Sequence, residues 1–362
     1  MNLLIPNLGS TSLKFQLIEM PAEAVRAKGR IERVSDYREA IAAIDTGGAK
    51  IDAIALKAVH AGPAYRGTYV VDDGVVAALR RFLPAAPAHN AIYLTAIRAF
   101  RAAMPGVPIV AAFETEFHAT MPDHARLYGV PRQWFEEGVA KYGFHGASHR
   151  YISERAAAFL KRADLRLVSC HLGGSSSMCA VDRGKSVDVT MGFSPQSGLE
   201  NATRHGDLDV FAVIYMMERH GWPPEEVRAQ LAKGGGLAGL SDVPGGDLRD
   251  IEAAAANGSR NAELALAVFA YQVKKTIGAY AAAMGGLDAI AFTGGIGENS
   301  ARLRAECCRG LEFLGVTLDR ARNEDGTGDR LVSADGSRVA VLALATNEEI
   351  VVARRAWNCL QK

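Results

Sequence analysis

The chain begins with two apolar segments around a polar turn, Leu3-Leu-Ile-Pro-Asn-Leu-Gly-Ser-Thr-Ser-Leu-Lys-Phe-Gln-Leu-Ile18. Apolar and polar residues alternate after the turn, so the stretch predicts a strand, a turn and a second strand. The same plan recurs in the second half, where residues 165–170 lead into the Gly/Ser-rich turn 171–177 and then into residues 178–189. One such hairpin in each half predicts two domains of similar architecture. Chance recurrence is the alternative, because strand-turn-strand units are common.

Helical and strand-like segments alternate outward from these hairpins. Apolar residues at a helical period predict helices over residues 74–83 and 91–104, and a long helix over residues 261–284 that stops at two glycines. This alternation is typical of α/β folds. Further strands are predicted at 108–113, 287–292 and 339–344, and loops at 293–297 and 323–336, the second of them exposed. Two more helices are predicted, one capped by residues 298–300 that ends at Leu314 and a final one after residue 346.

Composition limits the partners and the location. The 362 residues include 41 Lys plus Arg and 40 Asp plus Glu, so a net charge of +1 gives no overall field that favours nucleic acid or an anionic membrane. Length alone favours two domains. Five cysteines without a CxxC pair indicate reduced thiols, the apolar runs fall short of the ~20 residues of a membrane span, and the N-terminus lacks a basic signal region. We therefore expect a cytoplasmic protein with no nucleic-acid and no membrane partner.

Three glycine-rich turns follow apolar segments, at residues 7–12, 171–177 and 293–299. Glycine lets backbone N–H groups approach an anion, and Ser and Thr hydroxyls add further donors. None of the turns matches the GxxxxGK[ST] or GxGxxG patterns. A single turn of this kind favours a structural role, whereas three in one chain favour a phosphate-bearing nucleotide.

Histidine is concentrated between residues 118 and 171, with one group in Tyr142-Gly-Phe-His-Gly-Ala-Ser-His149. A histidine flanked by glycine in a polar turn can reach a ligand, whereas a lone histidine on an apolar face is usually a core residue. Residues 145 and 149 have the spacing of a metal-binding pair on a helix, but the glycine between them argues against that reading.

Charged residues at loops and strand ends complete the candidate site. Arg204 lies in Glu200-Asn-Ala-Thr-Arg-His-Gly-Asp207, where its guanidinium could clamp an anion; a solvated surface is the alternative. Glu114 and Glu348 follow predicted strands, where ligands bind in open α/β sheets. Carboxylates there suit Mg²⁺ carried by a nucleotide.

Seven blocks in a fixed order resemble the acetate kinase family, within the superfamily of actin, hexokinase and the heat-shock chaperone ATPases. The resemblance runs from Asn7 to Arg354 and implies an α/β fold of two duplicated ribonuclease-H-like domains with a cleft between them, and a homodimer. The family's boundaries place the first domain at residues 1–118 plus 350–362 and the second at 119–349. The blocks are Asn7-Leu-Gly-Ser-Thr-Ser-Leu-Lys-Phe15, Val59-His-Ala-Gly62, and residues 142–151, 186–193, 203–209, 292–300 and 346–354.

The activity that this resemblance implies is reversible, in-line transfer of the ATP γ-phosphoryl group to a short-chain carboxylate, giving an acyl phosphate and ADP. Positioning and electrostatics dominate such a reaction. By motif, Glu114, His145, Arg204 and His89 are the catalytic residues, and Asn7 and Glu348 hold Mg²⁺ or Mn²⁺. The substrate acid is bound by Lys57, Val59, Ala88, Phe144 and Pro195. ATP or ADP is bound by Ser10, Ser12, Lys14, His171, Leu172, Gly173, Gly174, Ser175, Asp247, Leu248, Arg249, Gly295, Ile296, Gly297, Glu298 and Asn299.

Departures from the family pattern surround the acceptor and the transferring group. Lys57 stands in place of arginine, Glu114 in place of aspartate, Ala88 in place of a typical leucine, and Gly174-Ser175 in place of the usual Asn-Gly. The chain is also shorter than most relatives around residues 35–52. We therefore expect an active kinase with an altered acceptor preference, of acetate or propionate type. The alternatives are a nucleotide-binding relative that has lost transferase activity and serves as a sensor or interaction protein, or a kinase for another carboxylate or phosphoryl donor.

Overall fold

The computed structural model describes residues 1–9 and 12–362, so the predicted nucleotide-binding residue Ser10 lies outside the described residues, as does the side chain of Ala88. The described chain forms two six-stranded sheets. The first contains β1 (Asn2–Leu8), β2 (Ser12–Glu19), β3 (Ala24–Glu32), β4 (Ala53–Ala58), β5 (Thr68–Val70) and β6 (Ile109–Phe113). The second contains β7 (Arg166–His171), β8 (Ser177–Asp182), β9 (Lys185–Val189), β10 (Ala289–Thr293), β11 (Arg330–Leu331) and β12 (Ala340–Ala343).

The two sheets have the same topology. The first has the strand order β3-β2-β1-β4-β6-β5, and the second, read from its other edge, has the order β9-β8-β7-β10-β12-β11. In each, an antiparallel three-stranded meander continues into two parallel strands and ends in an antiparallel edge strand. Adding six to each strand number in the order of the first sheet gives the strand order of the second sheet. The duplicated architecture predicted from the repeated hairpin is therefore confirmed.

Helices cover the faces of both sheets. They are α1 (Tyr37–Ala42), α2 (Asp73–Arg81), α3 (Pro87–Ala103), α4 (Asp123–Arg126), α5 (Arg132–Glu136), α6 (Gly146–Leu160), α7 (Val210–His220), α8 (Pro224–Lys233), α9 (Gly236–Ser241), α10 (Leu248–Ala256), α11 (Arg260–Ala283), α12 (Gly294–Asn299), α13 (Ala301–Cys308), α14 (Arg320–Glu324) and α15 (Glu348–Leu360). Short 3₁₀ turns lie at Leu83–Ala85, Glu114–Thr120, Pro244–Gly246 and Glu312–Leu314. Among the described residues, the helices include none that combines the length and the apolar character of a membrane span.

The longest helix illustrates how the sequence pattern produces the core. Helix α11 has 24 residues, and the hydroxyl of its cap Ser259 accepts a hydrogen bond from the N–H of Ala262. Its buried face recurs every three or four residues, which is the spacing of one helix face. That face packs on β7 and β8, in one apolar cluster with Ile290 and Phe292 of β10. The predicted helix over residues 261–284 is confirmed within one residue at each end.

The last helix belongs to the first sheet although the strand before it belongs to the second. Its residues Ile350, Val351 and Val352 are buried with Leu3 and Val110 of the first sheet in one apolar cluster. At about 25 cal/mol per Å² of buried apolar area, each such side chain stabilises this packing by about 1.5–3 kcal/mol. The chain therefore returns to its first sheet after completing the second.

Three predictions between residues 293 and 336 are wrong. Residues 294–299 form α12 rather than a loop, because the N–H groups of Ile296 and Gly297 donate to the carbonyl of Leu172 in the neighbouring strand connection. The predicted continuous helix to Leu314 is broken at Ser300, whose extended backbone and side chain cap α13, which ends at Cys308. The predicted loop 323–336 contains β11, and its Asn323 is buried against the guanidinium of Arg304.

Candidate active site

The carboxyl ends of three parallel strands in the first sheet bring together the residues predicted to act on the acid and the metal. Asn7 lies near the end of β1, Lys57 lies near the end of β4, and Glu114 follows β6 directly. Lys57 forms an ion pair with Glu348, the first residue of α15. The edge of the sheet therefore carries one ammonium group and two carboxyl groups, from positions that are far apart in the sequence.

Burial perturbs the charges of this group strongly. Glu114 is 3% exposed, and within the described part of the chain neither of its carboxyl oxygens has a hydrogen-bond partner. Burial raises the pKa of Glu114 to about 7, against the opposing effect of Lys57. Burial alone would lower the pKa of Lys57, but the carboxylates of Glu348 and Glu114 outweigh it and hold that pKa above its ordinary value. One buried carboxyl group is thus left without a partner in a cluster of excess negative charge.

The segment before α6 places His145 next to this cluster. His145 has a left-handed backbone (φ 56°, ψ 29°) immediately before the helix. A side chain at Gly146 would bring its Cβ to 2.0 Å from the carbonyl oxygen of Glu114, and one at Gly143 (φ 78°) would bring its Cβ to 2.6 Å from the ring of His118. The two glycines are therefore what lets the loop approach β6 closely enough for His145 to lie beside Glu114.

The imidazole of His145 is held in a fixed, neutral state. It stacks on the ring of His171, with centroids 4.3 Å apart and an interplanar angle of 24°, and its Nδ1 lies 2.8 Å from Oγ of Ser177. Burial, followed by the nearby His171 and His149, holds the pKa of His145 well below its usual range. A neutral imidazole can donate only one N–H, so its tautomer decides what it offers to a ligand.

Arg204 approaches the same space from the second domain. Its Nη1 donates to Oγ of Ser175 at 3.1 Å and to the carbonyl oxygen of Pro195 at 3.0 Å. Burial lowers the pKa of its guanidinium. The side chain is therefore not fully solvated, and the alternative of a solvated surface is wrong. Burial, together with Arg204 and Lys57, lowers the pKa of the half-buried His89 to about 4. His89 therefore lies within electrostatic reach of cations from both domains.

A cavity of about 670 Å³ lies in the second domain beside Gly174. This volume is within the range of small-molecule and cofactor pockets. Eight of the predicted nucleotide-binding residues line it: Gly173, Gly174, Asp247, Leu248, Arg249, Gly295, Ile296 and Asn299. Five lining residues were not predicted from the sequence: Ala202, Gly245, Gly246, Glu252 and Ser300. The glycines of Pro244-Gly-Gly246 carry the one signal that could have found them, because they form a turn directly before Asp247.

Other predicted nucleotide-binding residues lie outside this cavity and act on its walls. Leu172 is fully buried, and its carbonyl accepts hydrogen bonds from the first turn of α12. Glu298 accepts a 3.0 Å hydrogen bond from the N–H of Gly294. The buried Gly297 packs inside α12. These three residues therefore shape or position helix α12, which lines the cavity.

Lys14 lies in a separate recess of about 400 Å³ on the first sheet, together with Asn7. Asn7 pairs with Lys14 in the register of β1 and β2, and Lys14 pairs with Arg30 in the register of β2 and β3. Ser12 begins β2, and His171 and Ser175 lie on the cleft side through their contacts with His145 and Arg204. The structure thus divides the predicted nucleotide set between the large cavity, this recess and the cleft.

Three of the predicted acyl-binding residues, Val59, Phe144 and Pro195, are apolar and buried. Val59 and Phe144 are 7% and 3% exposed and belong to the same apolar cluster, although they come from different halves of the site. Pro195 is buried and contacts Arg204 through its carbonyl. A buried proline therefore lies next to the guanidinium.

Comparisons with known proteins identify the family of the chain. A model of the Acetokinase family matches residues 39–354. The acetate kinase of Geobacillus kaustophilus is 43% identical over 96% of each chain, and that of Thermotoga maritima is 41% identical over 100% of this chain and 99% of the other. A crystal structure of a propionate kinase from Francisella tularensis superposes with a TM-score of 0.91 at 30% identity, covering 98% of both chains. From its sequence, its duplicated sheets and these relatives, the chain belongs to the acetokinase family.

Proposed function

We propose that this protein transfers the γ-phosphoryl group of ATP to a short-chain carboxylate of acetate or propionate type, reversibly and by direct in-line displacement, to give an acyl phosphate and ADP. The observation that carries the proposal is the meeting of Lys57 and Glu114 from one domain with His145 and Arg204 from the other. A cavity of nucleotide size adjoins this group in the second domain. Cationic and N–H donors around one point match the charge that develops on a transferring phosphoryl group.

Each side chain has a role that follows from its position. The ammonium of Lys57 attracts the carboxylate of the acid, as a point charge rather than a two-pronged clamp. His145 donates a hydrogen bond from a neutral ring, and Arg204 donates from a guanidinium that is oriented by Ser175 and Pro195. His89 adds a further donor at the same space. Glu114, in its ionised form, contributes a negative charge that orients the cations around the phosphoryl group.

The donor set also suits a divalent cation. Glu348 and Asn7 supply oxygen ligands, and Glu114 supplies two buried carboxyl oxygens without a partner in the described part of the chain. Hard oxygen donors of this kind favour Mg²⁺ or Mn²⁺. The metal, when bound, would neutralise the phosphate oxygens of the nucleotide. The chain's own contribution is to hold Asn7 and Glu348 at that place.

The acid's alkyl group would lie among Val59, Phe144, Pro195 and helix α3 at Ala88. Alanine at position 88, where the family typically has leucine, supports a preference for an acid with one or two additional methylenes. Each buried methylene contributes about 0.8 kcal/mol. Propionate is therefore a substrate alongside acetate in this proposal.

The test is an assay of ADP formation with acetate, propionate, butyrate and glycolate. We expect turnover above background with acetate or propionate, and a fall in kcat of about a hundredfold or more when Arg204 or His145 is replaced by alanine, because each supplies a donor to the transition state. Surface variant Lys185→Ala serves as a matched control for the loss of a cation, because Lys185 is exposed on β9. Background turnover with all four acids would contradict the proposal.

We also propose a homodimer that forms through α7. None of the eleven residues of this helix is buried, although Val210, Phe211 and Tyr215 are large and apolar, and Phe211 is 76% exposed. Contiguous apolar surface of this kind marks protein interfaces. Sedimentation should give a dimer for the wild type and a monomer for Phe211→Glu, whereas Glu218→Lys on the same helix should stay dimeric. A wild-type monomer would contradict this assignment.

Two further proposals concern organisation and location. The first domain comprises residues 1–118 plus 350–362 and the second comprises 119–349, a division supported by the packing of α15 on the first sheet. A cytoplasmic location is supported by the five cysteines, none of which is paired in a disulfide.

A further inference from the structure

A chain of hydrogen bonds runs from His145 into the interior of the second domain. Nδ1 of His145 lies 2.8 Å from Oγ of Ser177, and the same oxygen lies 2.8 Å from Nε2 of His149. Nδ1 of His149 in turn lies 2.9 Å from Oγ of Ser169. His149, Ser169 and Ser177 are each 0% exposed, so water does not compete for these bonds.

Rigid elements hold the four groups. His149 lies in α6, one turn after His145, and the backbone N–H of His149 donates to the carbonyl of His145 at 2.9 Å. Ser169 lies in β7 and Ser177 begins β8, and these strands pair antiparallel with Ser177 opposite His171. Because one helix and two paired strands fix the spacing, the bonds do not depend on a mobile loop.

The bonds can be arranged in only two ways while both imidazoles are neutral. A serine hydroxyl has one proton, so Ser177 donates to one ring and must accept an N–H from the other. In one arrangement Ser177 donates to Nδ1 of His145, which leaves its proton on Nε2. In the other arrangement Nδ1 of His145 carries the proton, and Nε2 faces the cleft as an acceptor.

The hydrogen bond between His149 and Ser169, at the end away from His145, distinguishes the two arrangements. Within the described residues, Nδ1 of His149 is the hydrogen-bond partner of the Ser169 side chain. If His149 donated from Nδ1, the buried hydroxyl proton of Ser169 would have no acceptor, and buried donors are rarely left without one. The proton of Ser169 therefore points to Nδ1 of His149, whose own proton lies on Nε2 and points to Ser177.

We propose that His149 is a positioning residue that, through Ser177, fixes His145 as the tautomer with its proton on Nε2. The sequence of donors is Ser169 to His149, His149 to Ser177 and Ser177 to His145. The Nε2–H of His145 is then available to an anionic oxygen in the cleft. The catalytic consequence rests on the proposed phosphoryl transfer, whereas the tautomer itself does not.

The direct test is the tautomer of His145, read from two-bond ¹⁵N–¹H correlations of protein labelled with [¹⁵N]histidine. The variant His145→Gln assigns its signals. In the wild type we expect Nδ1 of His145 to have the shift of an unprotonated nitrogen and Nε2 that of a protonated one. In Ser177→Ala the two shifts should move toward each other, because both tautomers become populated. This measurement needs no substrate, so it does not depend on whether the acid acceptor has been identified.

Kinetics then separate positioning from a merely structural role. Ser177→Ala should lower kcat about tenfold, the lower end of what is seen when a group orienting a functional histidine is removed. The KM values for ATP and the acid should be unchanged, and Ser177→Thr, which keeps the hydroxyl, should recover most of kcat and the wild-type tautomer. Ser186→Ala is the matched control, because it removes another buried hydroxyl, 2.8 Å from Nδ1 of His118, without touching the chain to His145.

A second pair of variants keeps the test decisive if Ser177 cannot be replaced. His149→Gln retains a donor for Ser177 and an acceptor for Ser169 and should keep the wild-type tautomer, whereas His149→Leu should lose it. A proton on Nδ1 of His145 in the wild type would overturn the proposal. A Ser177→Ala variant in which His145 keeps only the Nε2–H form would also overturn it. The same holds if Ser177→Ala shows both tautomers of His145 but has the same kcat as Ser186→Ala. Absence of turnover in the wild type would instead count against the proposed function.

Discussion

Lys57 is a single ammonium group where the related family has a guanidinium, and the structure pairs it with Glu348. In the proposed reaction, an acid substrate would gain one flexible point charge instead of two parallel hydrogen bonds. The same ammonium balances the carboxylate that is proposed to hold the metal. Binding of a metal at Glu348 would release Lys57 from its ion pair. In the proposed site, Lys57 would thus balance Glu348 when the metal is absent and attract the acid when the metal is bound.

Removal of this ammonium should weaken binding of the acid. A hydrogen bond to a charged group contributes about 1.5–3 kcal/mol, so Lys57→Met should raise the KM for acetate or propionate about tenfold to a hundredfold. The KM for ATP should change much less, because the large cavity lies in the other domain. Initial-rate kinetics with both substrates varied will measure this, with the exposed Lys185→Met as the control. An unchanged KM for the acid would show that Lys57 does not contact it.

The double variant Lys57→Arg with Glu114→Asp separates an altered preference from a lost activity. If the two residues tune the acceptor, restoring the family's pair should change the ratio of kcat/KM between acetate and propionate while the overall rate stays in the same range. If the chain has lost transferase activity, the double variant should instead raise a negligible rate. Rates of all four acids with both proteins will decide, and equal ratios in two active proteins would exclude a role for the pair in specificity.

Individual site residues differ in how far the sequence reveals them. Glu114 and Glu348 could be predicted because each follows a buried strand, and His145 because glycines flank it. Ser177 could not, since it is the last of three consecutive serines and its importance comes from the His149 side chain 28 positions earlier. The ion pair between Lys57 and Glu348 joins residues 291 positions apart, so only the completed fold brings it about.

At the scale of elements, the start of α6 depends on a residue without a side chain. A methyl group at Gly146 would lie 2.0 Å from a backbone oxygen that cannot rotate away. Gly146→Ala should therefore push the helix from β6, lower the free energy of unfolding by about 1–3 kcal/mol as overpacking does, and reduce kcat by displacing His145.

Gly278→Ala is the matched control for this change. Gly278 lies within α11, and a Cβ there would meet nothing within 4 Å. Alanine should stabilise that helix by about 0.5–1 kcal/mol relative to glycine. Thermal unfolding and kcat of both variants will test the contrast. If both substitutions were equally harmless, the close approach of α6 to Glu114 would be wrong.

The elements predicted best are those whose pattern is complete within a short stretch. Helix α11 has its cap, its apolar period and its terminal glycines together, and its bounds agree within one residue. Helix α12 was predicted as a loop because three of its first four residues are glycine. What makes it helical is the carbonyl of Leu172, which is about 120 positions away and accepts two of its N–H groups. Tertiary hydrogen bonds of this kind leave no local trace in the sequence.

At the scale of the whole molecule, the buried histidines predict sensitivity to acid. His60, His118 and His149 are each 0% exposed. Burial lowers the pKa of His60 and of His118 to about 3, and holds that of His149 well below its ordinary value of 6.5. Below pH 6.5 the unfolded chain therefore binds protons that the folded chain does not, so stability present above pH 6.5 is lost as the pH falls.

The three fully buried histidines should together reduce the free energy of unfolding by about 4 kcal/mol between pH 7.5 and 5.5, at about 1.4 kcal/mol each. Glu114, whose pKa is raised to about 7, opposes this because its folded form gains a proton as the pH falls. Urea unfolding of the wild type and of His118→Asn at both pH values isolates one histidine. The difference in stability between the two proteins should shift by about 1.4 kcal/mol in favour of the variant at pH 5.5. A shift near zero would mean that His118 is protonated in the folded state.

The return of α15 to the first sheet has a consequence for synthesis on the ribosome. Val110 and its neighbours in β6 are translated at least 235 residues before the helix that covers them, since β6 ends at Phe113 and α15 begins at Glu348, and Leu3 is translated earlier still. At roughly 5–20 residues per second, that face of the first sheet stays uncovered for roughly 10 to 50 s. The second sheet, whose strands and long helix are contiguous in the chain, can complete its core before the first. The half of the molecule that emerges first is thus the half that finishes folding last, and it is during this interval that a nascent chain would need a chaperone.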